Sequence, residues 1–163
     1  KDLLTYAEVG AAEKTYRAVD CNQLVREILV ELDSDIKEKQ AKITVETLPM
    51  LKGNPSQLRQ LFQNLLSNAL KYHLPEQSPQ VKLSATHQAE GWQFAEQDNG
   101  IGIEPEYFDK IFQIFERLHS KNDYPGTGIG LSTCKKIVEN HNGRFNYLCG
   151  YFIRWACSRP HAT

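Results

Sequence analysis

The sequence predicts an α+β fold, a two-layer α/β sandwich with helices packed on one face of a mixed, mostly antiparallel sheet. Three observations lead there. Leu58, Leu61, Phe62, Leu65, Leu66, Ala69 and Leu70 recur at helical spacing. VKLSAT and WQFAEQ alternate on either side of Glu90-Gly91, as the two arms of an antiparallel hairpin do. LSTCKKIVENH is apolar at Leu131, Cys134, Ile137 and Val138 and stops at Asn142-Gly143, a helix with its terminator.

The remaining elements follow in chain order. Residues 1–18 start apolar (Leu3, Leu4) and turn polar, which reads as a helix end and linker; KDLLTYAEVG looks like the cut end of something longer. Asp20 or Asn22 can cap a helix whose Leu24, Ile28, Leu32 and Ile36 recur every four residues. AKITVETLP alternates with β-branched residues and predicts a short strand stopped by Pro49. The long helical stripe starts near Asn54 or Ser56, with Pro55 early in it. HLPEQSPQ is a loop by its two prolines. Phe108, Ile111, Phe112 and Phe115 predict a helix over 106–118, and SKNDYPGTG a loop.

Nineteen basic residues against twenty acidic ones leave no excess to hold nucleic acid or a membrane surface. No apolar stretch approaches the roughly 20 residues of a bilayer span, and no signal-peptide pattern opens the chain. The four cysteines form neither a CxxC pair nor a zinc spacing, so free thiols in a cytoplasmic, reducing setting are expected. At 163 residues the chain is long enough for one domain.

Three patches carry chemistry. Asn64, Asn68 and Lys71, spaced by four and three, stack on one stripe of the long helix. They can equally form a solvated face, but amides also suit magnesium, which keeps water and takes other ligands from phosphates. In DNGIGI, Asp98 ends a strand while Gly100 and Gly102 remove side chains that would hold a flat ligand off the backbone. A carboxylate there can accept from an exocyclic amine; an exposed turn is the plainer alternative. In GTGIGL, Gly126, Gly128 and Gly130 precede a helix whose free N–H groups and dipole suit an anion, or form a loop and nothing more. Singly each is weak; in this order they supply metal, base and phosphate contacts.

These stretches resemble the GHKL ATPases, a superfamily that includes gyrase, the mismatch-repair ATPases, a heat-shock chaperone and the sensor histidine kinases. NLLSNALKY looks like the N box, DNGIGI the G1 box, IFQIFERLH the F box and GTGIGL the G2 box. Lys71-Tyr72 and PGTGIGLSTCKKIVENHNG point to histidine kinases, particularly the phytochrome-type and hybrid sensors.

The resemblance implies that Asn68 coordinates the magnesium (Mg2+) on ATP's phosphates. Asn64 lies close by, where gyrase-like relatives place their water-activating glutamate. Lys71 and Arg117 would contact phosphate, and Tyr72 would line the adenine pocket. Asp98 would bind the adenine amine, with Gly100, Gly102 and Ile103 shaping that pocket. Gly126, Thr127, Gly128, Gly130 and Leu131 would belong to a mobile lid and phosphate cradle.

The implied reaction is γ-phosphoryl transfer from ATP to a histidine on a preceding dimerisation domain, whose last turn and linker would be residues 1–18, with a response regulator downstream. Residues 19–143 would be the ATP-binding catalytic domain. None of the five histidines has the family's acidic-then-proline context, so this chain should bind nucleotide without labelling itself. A nucleotide-dependent docking module without kinase activity is the alternative.

Two departures stand out. Glu96 shares a strand face with Trp92 and Phe94, where relatives usually carry valine or isoleucine. A carboxyl buried there needs a partner, an upward pKa shift or a strand off its usual register. Residues 144–163, NYLCGYFIRWACSRPHAT with its two leading residues, lack the family's closing serine- and threonine-rich turn and read as an atypical tail with one strand. Loss of the last strands would leave an open edge that invites pairing between otherwise monomeric chains.

Overall fold

The computed structural model describes residues 2–11, 15–89, 91–113, 130–149 and 152–158. Asp20 accepts the backbone N–H groups of Asn22 and Gln23 at 2.9 and 3.3 Å and starts helix α2 (Cys21–Glu31). Asn22 does not cap; its amide brackets Leu48 by exchanging hydrogen bonds with that residue's carbonyl and N–H. The four-residue stripe predicted one helix through Ile36, but the chain breaks at Leu32 and restarts as α3 (Asp33–Glu38). Asp33 and Asp35 favour a fresh N-terminus, where the helix dipole welcomes carboxylates, over a helix interior.

Strand β2 (Lys42–Val45) forms as expected and ends before Pro49. Two strands had no signal in the sequence: β1 (Arg17–Asp20) and β3 (Met50–Gly53), four residues each, pair antiparallel as a separate small sheet. Helix α1 (Asp2–Ala11) precedes them and rests on α5 (Gly130–Asn140), where Val9 is buried and Lys136 lies 4.3 Å over the Tyr6 ring.

Helix α4 (Pro55–Lys71) is the central element. Asn54 caps it by accepting from Gln57 N–H, and Pro55 fills the first turn, where a missing N–H costs nothing. Its apolar stripe is fully buried, and Phe62 meets Phe94 of the sheet edge-on at 5.7 Å. Helices α2 and α5 flank it on the same side of the sheet.

That sheet has the order β2-β4-β5-β7-β6, with only β2 and β4 (Gln80–Gln88) parallel. The hairpin of β4 and β5 (Gly91–Asp98) runs in register from Val81↔Asp98 to Gln88↔Gly91. The fold is therefore the α+β two-layer arrangement the sequence predicted.

Two further expectations are corrected. Residues 105–112 form two 3-10 turns, Pro105–Tyr107 and Lys110–Phe112, where an α-helix was predicted. Aromatic and β-branched residues hold a helix weakly. Here Ile111 is buried and Phe112 lies edge-on to Phe145 at 5.3 Å, so packing overrides periodicity. The rest of that predicted helix, from residue 114, lies outside the described residues.

The tail forms two strands, β6 (Arg144–Cys149) and β7 (Phe152–Ser158), where one was expected. β7 inserts between β5 and β6, from Gly91↔Ser158 to Gln97↔Phe152. Strand addition is made by backbone groups, so it does not require the family's usual turn. The edge of β5 is covered, and β2 and β6 are the outer strands.

Helix α5 ends with Asn142 in the left-handed region (φ 57°) and Gly143 N–H bonded to the Val138 carbonyl at 2.8 Å. His141, just beyond it, accepts Asn54 N–H at Nε2 (3.0 Å), so its proton sits on Nδ1 and is donated to the Ile137 carbonyl at 2.7 Å. This neutral ring ties the end of α5 to the cap of α4. Burial lowers its pKa, against the opposing pull of the Ile137 bond. The folded state thus prefers the neutral ring, and its contribution is complete above the ordinary value of 6.5. Denaturant midpoints should fall as pH drops below that value, and a His141→Gln variant should lack that component.

Candidate nucleotide site

Helix α4 divides its labour by face. Its buried stripe anchors it, and the opposite side carries Asn64, Asn68 and Lys71, all half-buried. Asn64 Nδ2 lies 3.4 Å from the Gly130 carbonyl, and a Cβ on Gly130 would stand 3.6 Å from Asn68 Nδ2. The amide stripe therefore faces the first turn of α5. Lys71 Nζ sits 4.7 Å over the ring of Tyr72, which ends the helix.

The turn after β5 joins the same end of the molecule. Ile101 N–H donates to the Tyr72 carbonyl at 3.0 Å. A Cβ on Gly100 would fall 2.4 Å from that carbonyl oxygen, so only glycine lets the turn lie against the end of α4. Gly102 holds φ 70°, a left-handed conformation that favours glycine.

Asp98 accepts Gly100 N–H at 2.8 Å, which orients one carboxylate oxygen. Burial raises its pKa, and the Gly100 bond opposes that shift. Ile103 follows half-buried, and Leu131 at the start of α5 packs against the core.

Among the residues singled out from sequence, the structure gathers Asn64, Asn68, Lys71, Tyr72, Asp98, Gly100, Gly102, Ile103, Gly130 and Leu131 around the ends of α4, β5 and α5. Arg117, Gly126, Thr127 and Gly128 lie outside the described residues.

Glu96 lies behind this site. It is 2% exposed, and its Oε2 has no hydrogen-bond partner among the described residues. Glu96 is the register partner of Leu83 on β4, and its carboxyl favours the protonated form. Burial, then the Asp98 charge, push the Glu96 carboxyl up to about 8. Cys134 of α5 borders it: burial raises that thiol, a bond from Asn64 opposes, and the Glu96 charge raises it further. The inward face of Glu96 was legible from strand alternation; the approach of Cys134 to it was not.

With this geometry in place, comparison with known proteins gives the class. Residues 53–161 match the family of histidine kinase-, DNA gyrase B- and HSP90-like ATPases, and the chain belongs to it. Its relatives are of the histidine kinase type. It is 43% identical over 143 residues to the phytochrome-like protein Cph1 of Synechocystis, covering 88% of this chain and 19% of that one. It is 34% identical over 132 residues to the adaptive-response sensory kinase SasA of Synechococcus elongatus, covering 78% and 34%. The chain thus spans between a fifth and a third of these relatives. The fold is similar to that of the mycobacterial sensor histidine kinase MprB, with a TM-score of 0.75 at 23% identity over 90% of this chain and 99% of the other. The chain is therefore a catalytic, nucleotide-binding domain of the histidine kinase type. Among its described residues no helix is long and apolar enough to cross a membrane.

Two substitutions probe this architecture. Gly100→Ala should force the turn away from Tyr72 and cost about 1–3 kcal/mol in denaturant unfolding. Glu96→Val should stabilise the chain by roughly 2–4 kcal/mol at neutral pH. The folded carboxyl keeps a proton that the unfolded one releases above its ordinary value of 4.5, so the advantage should shrink as pH falls toward that value.

Proposed function

We propose that this chain binds ATP with magnesium and transfers the γ-phosphoryl group to a histidine on a separate helical dimerisation domain of a parent sensor kinase, for onward passage to a response regulator. The observation that carries this reading is the convergence of the α4 amide stripe, the Asp98 turn and the α5 N-terminus. Asp98, oriented by Gly100 N–H, has an oxygen able to accept from the adenine amine. The cleared backbone at Gly100 and Gly102 admits the flat base beside Tyr72. The first turn of α5, from Gly130, would turn its N–H groups and the helix dipole to phosphate, with Lys71 as a nearby cation.

The residues present fit magnesium in its nucleotide-bound form. Among the described residues no cluster of three or more histidine, cysteine or acidic side chains could cage a metal alone. Asn68 supplies a neutral oxygen, and a phosphate-held magnesium needs little more from protein. The ion would neutralise phosphate charge during transfer.

Asn64 stands where a hydrolytic relative needs a general base. An amide cannot take a proton from water, which favours transfer over hydrolysis. The chain's own work is then positioning and exclusion of water. Arg117 and the glycines at 126 and 128, with Thr127, would add phosphate contacts and a closing lid. The acceptor lies on another domain, since no histidine here has a phosphoacceptor context. The setting of this chemistry would be the cytoplasm.

Calorimetric titration of MgATP into the chain tests the reading, beside Asp98→Asn and with GTP as control. Saturable ATP binding is expected, weakened roughly 100-fold or more in the variant, with GTP silent. Labelling of a supplied histidine-bearing helical hairpin, with little steady phosphate release, completes the test. Binding without any transfer would favour a docking module, and steady hydrolysis would contradict the role given to Asn64.

A further inference from the structure

Phe94, Glu96 and Asp98 alternate along β5 on the face turned to the helices, as the Phe94 contact with Phe62 of α4 establishes. Residues two apart on a strand stand roughly 7 Å apart. Glu96 is thus a buried neighbour of the carboxylate assigned to base recognition. Its other surroundings are the fully buried Leu83 of β4, its register partner, and Cys134 of α5, whose Sγ donates to the Leu61 carbonyl of α4 at 3.9 Å. Its register partner on β7 is Ile153. Among the described residues Glu96 forms no ion pair, and Asp98 is the charge that acts on it. The unpartnered Oε2 leaves a charged carboxylate without compensation.

We propose that Glu96 is a positioning residue of the nucleotide site: held uncharged behind the turn, it leaves the negative charge there on Asp98, which orders against the base, so nucleotide binding and ionisation of Glu96 oppose each other. This rests on the reading of Asp98 as the base acceptor. Ionised Glu96 sets a second negative charge behind Asp98 in a low-dielectric layer, which favours protonation of Asp98 or displacement of the turn. By linkage, the nucleotide in turn strengthens the hold of Glu96 on its proton.

MgATP titrations of the full chain between about pH 7 and about pH 9.5 test this, alongside Glu96→Gln and Glu96→Val, each at a temperature where thermal unfolding shows it folded. Wild-type affinity should fall roughly tenfold across that interval, while both variants change by less than about threefold. Near pH ~8, binding should draw protons from solution, seen as buffer-dependent heat in the wild type and absent from the variants. The variants differ in polarity and size, so a folding defect in one leaves the other as the reference. A wild-type profile parallel to that of a folded variant, or equal proton uptake in both, overturns the proposal and leaves the nucleotide site standing. Absence of saturable binding in all three chains near pH ~7 removes the base-recognition reading and the proposal with it.

Discussion

The lodging of α4 against β5 is the contact on which the rest of the structure depends. Phe62 against Phe94, with Leu58, Leu61, Leu65 and Leu66 fully buried around them, fixes the rotation of a helix whose other face is polar. Because side chains three and four apart share a face, locking the apolar stripe also aims Asn64, Asn68 and Lys71 at the start of α5. The last carbonyl of the helix region, on Tyr72, then receives Ile101 N–H and sets the height of the turn after β5. Helix, turn and second helix are thus registered by one buried face and one backbone bond.

The electrostatics of the site follow from the same packing. The sheet face that supports α4 also carries Glu96 and Asp98, and their fates diverge with position along β5. Asp98, at the strand end, is half-buried and receives a backbone donor; Glu96, one pleat earlier, is buried and has no donor to Oε2 among the described residues. A donor favours the charged form of a carboxyl, and its absence in a buried layer favours the neutral one. Two carboxyl groups of one strand are in this way separated into an oriented acceptor and a protonated neighbour.

At the far end of α4 a neutral histidine plays a comparable role. His141 holds the Asn54 amide while Asn54 caps the helix, and its other nitrogen is committed to α5. The two helices that frame the candidate site therefore meet at both ends: through Asn64 and Gly130 beside it, and through His141 away from it. Helix α1 adds to this second junction, where Asn140 Nδ2 donates to the Val9 carbonyl at 3.0 Å.

Much of this was legible in the chain itself, because it depends on short-range patterns. The seven apolar positions from Leu58 to Leu70, the Asn54-Pro55 start, the alternating arms around Gly91 and the glycine spacings at 100, 102 and 130 each determine a local conformation or a shared face. They also determined the family. What the tertiary structure alone decided has long-range causes. Strands β1 and β3 are too short to show alternation and exist because they pair with each other. β7 joins β5 because the backbone of that strand offered a free side. The 3-10 turns at 105–112 replace a helix because Ile111 and Phe112 are held by α5 and β6. The neutral state of Glu96 also belongs here: its sequence neighbours show that it faces inward, but only the packed helices remove the water and the donors that would have kept it charged.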